Sequence, residues 1–241
     1  MPKRFAVLLL AYAFSNGVRG QVVADTAFYG SAATIIGTYY VPALGGQSPL
    51  YNGAEYIEYA FTFREGYPFF ESQEFTNGEI YFDGMIFHKV PLCYDLVKDQ
   101  VVIRDFNGIY KIVLPANKIE QFTLSGRTFV RIQHDSLNHV KSGFYEQLCK
   151  DKIALFAKRE KKIIEKNAFP QVDMLVKSIN TYYIRKEAVY YNLKNKAGLL
   201  NILNSRKKEI LQYFKKNKIR FNDDPEKAMI AAVEYYNGLI N

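Results

Sequence analysis

The chain has 241 residues, of which 49% are hydrophobic and 15% aromatic, with 19 Tyr, 18 Phe and no Trp. This composition excludes global disorder and suffices for one large domain or two small ones. The formal net charge is +8. Removing residues 1–20 lowers it to +5, because Lys3, Arg4 and Arg19 leave with them and no acidic residue does. The charge alone therefore gives no reason to expect a nucleic acid as partner.

Residues 1–20 have the pattern of a secretory signal peptide. The basic residues Lys3 and Arg4 precede a ten-residue apolar run that ends at Phe14, and small residues stand at −3 and −1 before Gln21. The apolar run is shorter than the roughly 20 residues that a membrane-spanning helix needs, and no later stretch qualifies. We therefore expect export of the chain, without a transmembrane segment.

The next segment, residues 21–54, is rich in small residues, glycine and proline. It predicts an extended N-terminal arm. A β-rich domain is then predicted over residues 55–140. At its start, apolar residues occupy every second position from Ile57 to Phe63, which is the spacing of a half-buried strand.

The middle of the chain contains several dipeptides that are typical of tight turns. Asp83-Gly84, Asn107-Gly108 and Ser125-Gly126 each separate two short apolar runs, and Lys98-Asp99 is a further turn candidate. Such dipeptides accept the positive φ angles that a tight β-hairpin requires. Pro91 cannot donate to a ladder, so it marks a strand edge, a bulge or a strand start. We predict an antiparallel β-meander, closed as a sandwich or as a partly closed barrel.

Residues 141–241 predict a smaller α/β region that ends in helices, which makes the fold class α+β. The segment 152–166 combines alternating apolar residues with a charge run, and both a strand and a helix are consistent with it. Tyr182–Ile184 and Val189–Tyr191 flank Lys186-Glu187 and predict a short hairpin.

The C-terminal helices are predicted from apolar spacing and from capping residues. Apolar residues follow three-and-four spacing from Leu199 to Phe214 and again from Met229 to Ile240. Ser205 is a candidate cap for a helix that starts at Arg206. Asp224 followed by a proline predicts the start of a helix. The carboxylate can accept from the free N–H groups of the first turn, and the proline, which has no N–H, is well tolerated at the first helical position.

Several phrases together resemble a known group of proteins. They are Tyr-Asn-Gly-Ala-Glu-Tyr at 51–56, Gly-Glu-Ile-Tyr-Phe-Asp-Gly at 78–84, Val-Pro-Leu-Cys-Tyr-Asp at 90–95 and Val-Glu-Tyr-Tyr-Asn at 233–237. Residues 50–241 resemble a family of exported, uncharacterised, envelope-associated proteins of bacteria with an outer membrane. The resemblance implies a periplasmic or outer-membrane-associated location and assigns no catalytic residues.

The chain has two cysteines, Cys93 and Cys149. In an exported protein they are candidates for a disulfide, which would close a loop of about 57 residues and stabilise the fold by roughly 2–4 kcal/mol. Cys93 lies in an apolar, strand-like run, where a buried free thiol is equally ordinary. Their spacing and the absence of further close ligands do not indicate a zinc site.

Catalytic and metal-binding patterns are weak. His134 and His139 with Asp135 lack the His-Glu-x-x-His spacing, and no nucleophile motif of the Gly-x-Ser-x-Gly type occurs. Neither a metal nor another cofactor is predicted. A glycosidase needs two carboxylates across a cleft. Acidic candidates are present in the β-rich domain, and their separation cannot be read from sequence: Glu71, Glu74, Asp83 and Asp95.

Basic residues form two groups, Lys158–Lys162 and a C-terminal group. On helices they would form the solvated face opposite an apolar stripe. The alternative is a partner surface for acidic lipid, acidic glycan or an acidic protein. The candidate partner-surface residues are Arg206, Lys207, Lys208, Lys215 and Lys216.

Export, many strands and the lack of a catalytic signature together favour one function. We expect a non-enzymatic binding or accessory protein of the cell envelope, with an envelope protein as partner. Two alternatives stay open: a secreted hydrolase that acts on glycan or peptide through a carboxylate pair, and a half-barrel lipid carrier. The carrier requires a continuous apolar cavity inside the sheet.

Overall fold

A computed structural model describes residues 44–133, 140–168 and 171–240 of the chain. The predicted leader, residues 21–43 of the predicted arm, and His134, Asp135 and His139 lie outside these ranges. The remainder of the arm, from residue 44, contains two short 3₁₀ turns at Gly45–Gln47 and Pro49–Tyr51.

The described residues form eleven strands and three α-helices. The strands are β1 (Ala54–Glu55), β2 (Thr76–Phe82), β3 (Met85–Asp95), β4 (Gln100–Arg104), β5 (Lys111–Val113), β6 (Ile119–Leu124), β7 (Arg127–Ile132), β8 (Gly143–Cys149), β9 (Ala154–Ala168), β10 (Gln171–Lys186) and β11 (Val189–Leu193). The helices are α1 (Lys196–Ile202), α2 (Lys207–Lys216) and α3 (Pro225–Ile240). The fold is therefore β-rich and α+β, as predicted.

All eleven strands belong to one sheet, in the order β1-β5-β4-β3-β2-β6-β7-β8-β9-β10-β11, and all the neighbours are antiparallel. Strands β2 to β5 form one meander and β6 to β11 a second. They join through β2 and β6, so the chain crosses back after β5. The predicted boundary at residue 140 falls between β7 and β8, which pair with each other.

The predicted turns are present with the expected chemistry. Asp83-Gly84 and Ser125-Gly126 each have positive φ at both residues and close two-residue hairpins. Asn107-Gly108 instead lies within a six-residue loop, 105–110, where only Gly108 has positive φ. Pro91 follows a bulge in β3, at which Lys89 has a φ of 53°. A bulge was one of the three settings that the proline predicted.

Glycine is required where β2 meets β6. A Cβ atom added to Gly78 would lie 2.0 Å from the backbone oxygen of Thr123. Any other residue at this position would push the two strands apart, because real Cβ atoms do not approach an oxygen so closely. Gly78 therefore fixes the junction between the two meanders.

The sheet curls strongly around aromatic side chains. Tyr94 on β3 and Phe144 on β8 are four strands apart in the sheet order, which in a flat sheet would separate them by roughly 19 Å. Their ring centroids are 5.9 Å apart. Phe122 and Phe129 stack between them, with centroids 4.9 Å apart and planes 9° from parallel. All four side chains are buried, with exposed fractions of 1% or less.

The predicted strand from Ile57 to Phe63 is wrong. Strand β1 ends at Glu55, and Ile57 is 80% exposed. The rings of Tyr59, Phe61 and Phe63 contact one another instead of a neighbouring strand. The alternating pattern therefore did not predict this segment correctly. A side-chain hydrogen bond from Tyr59 to Asp95, at the end of β3, holds it in place.

The segment 152–166 is resolved as a strand, since β9 and β10 form a long hairpin with a continuous ladder from Ala154 to Ala168. The predicted hairpin at 182–191 is confirmed, and Glu187 and Ala188, both at positive φ, form its turn. The charge run at Lys158–Lys162 is thus on a strand. Its assignment to a solvated helical face is wrong, because Lys158 and Arg159 are each only 8% exposed.

The C-terminal helices pack on the sheet as predicted. Met229, Ala232, Val233 and Tyr236 of α3 are buried with residues of β9, β10, α1 and α2. Asp224 caps α3 by accepting from the backbone N–H of Lys227 at 3.0 Å. The predicted Ser205 cap is wrong, because the Ser205 hydroxyl bonds to the hydroxyl of Tyr236 at 2.8 Å.

We predict that Phe122→Ala lowers the free energy of unfolding by about 3–5 kcal/mol, because it opens a cavity among packed rings. Urea unfolding followed by circular dichroism measures this change. The matched variant Phe106→Ala, at a side chain that is 58% exposed, should cost less than about 1 kcal/mol. Equal losses in the two variants would contradict the assignment of Phe122 to the core.

Candidate functional site

Three of the four most exposed large hydrophobic side chains of the described chain lie in one loop, between β4 and β5. We call these three residues the apolar end: Phe106, Ile109 and Tyr110. Their exposed fractions are 58%, 69% and 59%. The fourth, Ile57, is 80% exposed and follows β1, and its carbonyl accepts from Lys98 Nζ in the β3–β4 turn, at the opposite end of β4. No other large hydrophobic side chain in the described ranges exceeds 51%.

Internal hydrogen bonds fix the loop that carries the apolar end. The Asp105 carboxylate accepts from the backbone N–H of Ile109 at 2.6 Å and of Tyr110 at 2.9 Å. The Asp105 N–H donates to the Tyr110 carbonyl at 2.8 Å, and Arg104 donates to the Gly108 carbonyl at 3.1 Å. Because these backbone groups form hydrogen bonds within the loop, the loop conformation is fixed with its apolar side chains exposed to solvent.

Asp95 positions the segment that carries Ile57. Its buried carboxylate accepts from the hydroxyls of Tyr56 at 2.8 Å and Tyr59 at 2.9 Å. It also accepts from the backbone N–H groups of Val97 and Lys98 at 2.8 and 3.0 Å. Burial and these bonds raise the pKa of both tyrosines well above the ordinary value. Asp95 was a candidate catalytic acid in the sequence, and the structure makes it a structural anchor.

A cavity of about 460 Å³ opens beside the apolar end. Phe106 belongs to both, and its ring contacts that of Tyr51 at 6.0 Å. Apolar walls come from Phe87, Val90 and Pro91. The polar lining residues include His88 and three charged side chains: Lys89, Arg104 and Asp105. The volume is within the ~300–1,000 Å³ that ligand pockets span.

The other candidate acids and the one described histidine also have partners or lie in turns. Glu71 pairs with Arg127 Nε at 3.1 Å, and Asp83 pairs with Lys118 at 2.8 Å in its hairpin turn. His88 Nδ1 lies 2.7 Å from a carboxylate oxygen of Glu79. Glu74 is exposed. The structure does not bring the four acids together in one cleft. Nowhere in 44–133, 140–168 and 171–240 do three metal-ligating side chains gather as a metal site would require.

Of the two alternatives left open for the cysteines, the structure has the free thiols and not the disulfide. Cys93 and Cys149 are both free, buried thiols. Cys93 packs with Tyr56, Phe69 and Val102, whereas Cys149 lies in the separate cluster beneath the helices. Burial raises the pKa of each thiol to about 12, which leaves both protonated and unreactive at neutral pH.

The basic C-terminal residues lie on the exposed side of a helix, as the sequence predicts. All five of the candidate partner-surface residues are exposed along α2 and the turn before it, opposite the buried Ile210 and Phe214. Their role in binding a partner remains a prediction. Among the described residues, none of the helices has both the length and the apolar character that crossing a bilayer requires.

Sequence reasoning missed a buried ionic network, which we call the arginine junction. It consists of Arg127 on β7, Glu146 on β8, Arg159 on β9, Tyr182 on β10 and Glu226 on α3. Arg159 donates from Nε to Glu146 at 2.6 Å and from both terminal nitrogens to Glu226 at 2.7 and 2.9 Å. Arg127 binds the second Glu146 oxygen at 2.7 Å, and the Tyr182 hydroxyl donates to Glu226 at 2.7 Å. The junction ties four neighbouring strands to α3.

Comparisons of the chain with protein-family models, with curated proteins and with solved structures found no match. The family resemblance described above therefore stays a prediction.

The arginine junction predicts a dependence of stability on pH. Burial raises the pKa of Glu226, but hydrogen bonds from Arg159 and Tyr182 outweigh it, and the pKa is below its ordinary value of 4.5. A carboxyl group of this kind stabilises the fold at pH above 4.5, and the stabilisation is lost as the pH falls through the lowered folded-state pKa.

We predict that Glu226→Gln lowers the free energy of unfolding by about 1–3 kcal/mol at pH 7, because Arg159 loses a charged acceptor. The difference from the unmodified chain should shrink as the pH falls below 4.5 and through the lowered folded-state pKa of Glu226. Urea unfolding at pH 7 and over a series of acidic pH values measures both effects. The control Glu120→Gln, at an exposed residue, should leave stability unchanged. A pH-independent gap would contradict the assignment.

Proposed function

We propose that the protein is a non-enzymatic binding protein of the bacterial cell envelope, located in the periplasm or at the outer-membrane periphery. Its binding surface is the apolar end, and its partner is an envelope protein that offers an exposed apolar segment. The observation that carries this proposal is the presence of three of the four most exposed large hydrophobic side chains of the described chain in one loop, between β4 and β5.

Exposed apolar side chains are unfavourable in water, by about 25 cal/mol for each Å² left uncovered. Single exposed residues are ordinary, whereas a group of them typically marks an interaction surface. The apolar end combines the ring of a phenylalanine, the ring of a tyrosine and one isoleucine. Aromatic and branched side chains of this kind provide the central anchors of protein interfaces.

The rigidity of the β4–β5 loop supports binding. Because Asp105 and Arg104 already fix the loop backbone, little conformational entropy is lost when a partner orders it. The adjoining cavity has apolar walls and can accept one side chain of the partner segment. The charged groups Lys89, Arg104 and Asp105 stand at this cavity and favour a segment with polar residues beside its apolar ones.

The non-enzymatic part of the proposal is supported by the state of the candidate catalytic groups. Asp95 accepts hydrogen bonds from four donors. Glu71 and Asp83 each have an ionic partner, and His88 Nδ1 lies 2.7 Å from a carboxylate oxygen of Glu79. The export part rests on the signal-peptide pattern of residues 1–20 and on the family resemblance.

The finer description of the fold as a partly closed barrel is part of the same proposal. Its support is the contact between β3 and β8 rings and the contact of β9 with the β3–β4 turn, in which Lys158 pairs with Asp99 at 2.8 Å. Aromatic rings fill the concave side, which disfavours the lipid-carrier alternative.

Site-specific photo-cross-linking in intact cells tests the proposal. We replace Phe106 and Tyr110 in turn with a benzophenone amino acid, and use Tyr191, which is 41% exposed on β11, as the matched control. We expect both positions at the apolar end to capture the same envelope protein and the control to capture none. With that protein purified, Ile109→Asp should weaken binding at least tenfold, as for a central interface anchor. The matched change Val189→Asp should not weaken it.

Three results would contradict the proposal: equal capture from Tyr191, unchanged affinity of Ile109→Asp, or cross-links from Phe106 and Tyr110 only to residues 21–43 of the same chain. The last result would mean that the chain covers its own apolar end.

A further inference from the structure

The positive charge of the chain is concentrated between Glu187 and Asp223, in the segment that contains α1, α2 and the turn after α2. This segment holds nine of the 32 basic residues of the chain and one of its 24 acidic residues, Glu209. The rest of the chain therefore carries 23 residues of each sign. The whole formal charge of +8 belongs to this one segment.

Three of these basic residues surround an exposed leucine on α2. Leu211 is 38% exposed. Lys207 and Lys208 lie four and three residues before it, and Lys215 lies four residues after it. Residues at these spacings are neighbours on the surface of a helix. All three lysines are exposed to solvent. We call these four residues the lysine face.

The acidic residue of α2 lies on the other flank of the helix. Glu209 pairs there with Arg206 at 3.3 Å. On the same flank, Tyr213 stacks on Tyr235 of α3, with ring centroids 4.2 Å apart. Within the described part of the chain, no salt bridge involves the lysine face, so its three ammonium groups have no carboxylate partner there.

The acidic residues that follow α2 also lie outside the lysine face. Asp223 is exposed in the turn after α2, where its backbone N–H donates to the carbonyl of Arg220 at 3.2 Å, and the charges of these two side chains offset each other. Asp224 caps α3. Glu234 of α3 lies near β8, since its charge helps to raise the pKa of the Cys149 thiol. The positive charge of the lysine face is therefore not compensated by the fold.

The stability of the helix does not explain lysines at the start of α2. The N-terminal end of a helix carries a partial positive charge, so cationic side chains are unfavourable there. Lys207 and Lys208 are nevertheless the first two residues of α2. A local choice that lowers stability is typical of a functional site.

The exposed leucine distinguishes between the kinds of anionic partner. A partner that offers charge alone, such as a polyacidic peptide, would leave Leu211 in water. An anionic lipid surface matches both features of the face. Lysines bury their methylene stems while their ammonium groups stay among the lipid phosphates. An apolar side chain on the same helix face enters the boundary between headgroups and acyl chains.

We propose that the lysine face docks the protein on a membrane surface that contains anionic phospholipids. Leu211 enters the headgroup region, and Lys207, Lys208 and Lys215 pair with lipid phosphates. This docking goes beyond the binding function proposed above and shares no residue with the apolar end. Either proposal can therefore fail while the other stands.

Sedimentation with lipid vesicles, using the chain purified after export, tests the role of charge. The vesicles contain phosphatidylcholine alone or phosphatidylcholine with about one third phosphatidylglycerol, whose negative surface potential attracts basic segments. We expect binding to the anionic vesicles and not to the neutral ones. Raising the salt from about 0.1 M to about 1 M should weaken this binding, because the Debye length falls from about 10 Å to about 3 Å.

Two triple variants assign the binding to the lysine face. The combined change Lys207→Gln, Lys208→Gln and Lys215→Gln should weaken binding to anionic vesicles at least about tenfold. The matched control removes the same charge from three exposed lysines of the β9–β10 hairpin and should weaken binding less than about twofold. It combines Lys162→Gln, Lys166→Gln and Lys177→Gln.

A fluorescent reporter tests the insertion of the leucine. Because the chain has no Trp, Leu211→Trp introduces a single indole on the lysine face. On anionic vesicles its emission should shift to shorter wavelength and should be quenched by lipids with brominated acyl chains. The control Ile164→Trp, at a side chain of β9 that is 42% exposed, should show neither effect. This measurement keeps all three lysines, so it decides the question even if the triple variant fails to fold.

Several results would overturn the inference. They are no binding to anionic vesicles, equal binding to neutral ones, equal losses in the two triple variants, or an indole emission that vesicles leave unchanged. Lysine-dependent binding of polyglutamate without vesicle binding would assign the face to an acidic protein instead. Ile109→Asp, at the apolar end, should bind anionic vesicles as tightly as the unmodified chain. A loss there would place the docking surface at the apolar end and contradict its assignment to α2.

Discussion

The packing of aromatic rings on the concave side of the sheet is the constraint on which the other features depend. Phe122 and Phe129 stack face to face, and Tyr94 and Phe144 approach them edge-on from strands on either side. Offset and edge-to-face arrangements are favourable for aromatic pairs. The rings can meet only if the sheet curls, since four flat strand spacings would hold β3 and β8 far apart. The chain's unusual content of Phe and Tyr thus sets the shape of the sheet.

The curl determines which charged groups are buried. It brings β9 to the β3–β4 turn, where the Lys161 N–H donates to the Leu96 carbonyl at 3.1 Å and Lys158 pairs with Asp99. Arg159 is then enclosed between Glu146 and Glu226, and a buried guanidinium is tolerated only when it is fully paired. The arginine junction anchors α3, and Asn237 of α3 bonds both backbone polar groups of Ile153.

Local chemistry made part of this fold predictable from the sequence. Asp83-Gly84 and Ser125-Gly126 specify tight turns, and Asp224-Pro225 specifies a helix start, because their effect needs no distant partner. The wrong predictions concern segments that are held by residues far away in the sequence. Residues 57–63 are held by Asp95, which is 39 positions from Tyr56, and Arg159 is buried by Glu226, 67 positions away. The apolar end was missed because the apolar run after Asn107-Gly108 was predicted to be a strand; Ile109 and Tyr110, directly after Gly108, were the available signal.

The most direct test of this account is the distance between the rings of Tyr94 and Phe144 in solution. With ring protons of tyrosine and phenylalanine selectively labelled and assigned by Tyr94→Phe and Phe144→Leu variants, a nuclear Overhauser effect between the two rings reports a separation below about 6 Å, whereas a flat sheet would place them roughly 19 Å apart. We predict a strong effect, since the centroids are 5.9 Å apart. Its absence in the folded protein would contradict the curled sheet and the placement of everything that depends on it.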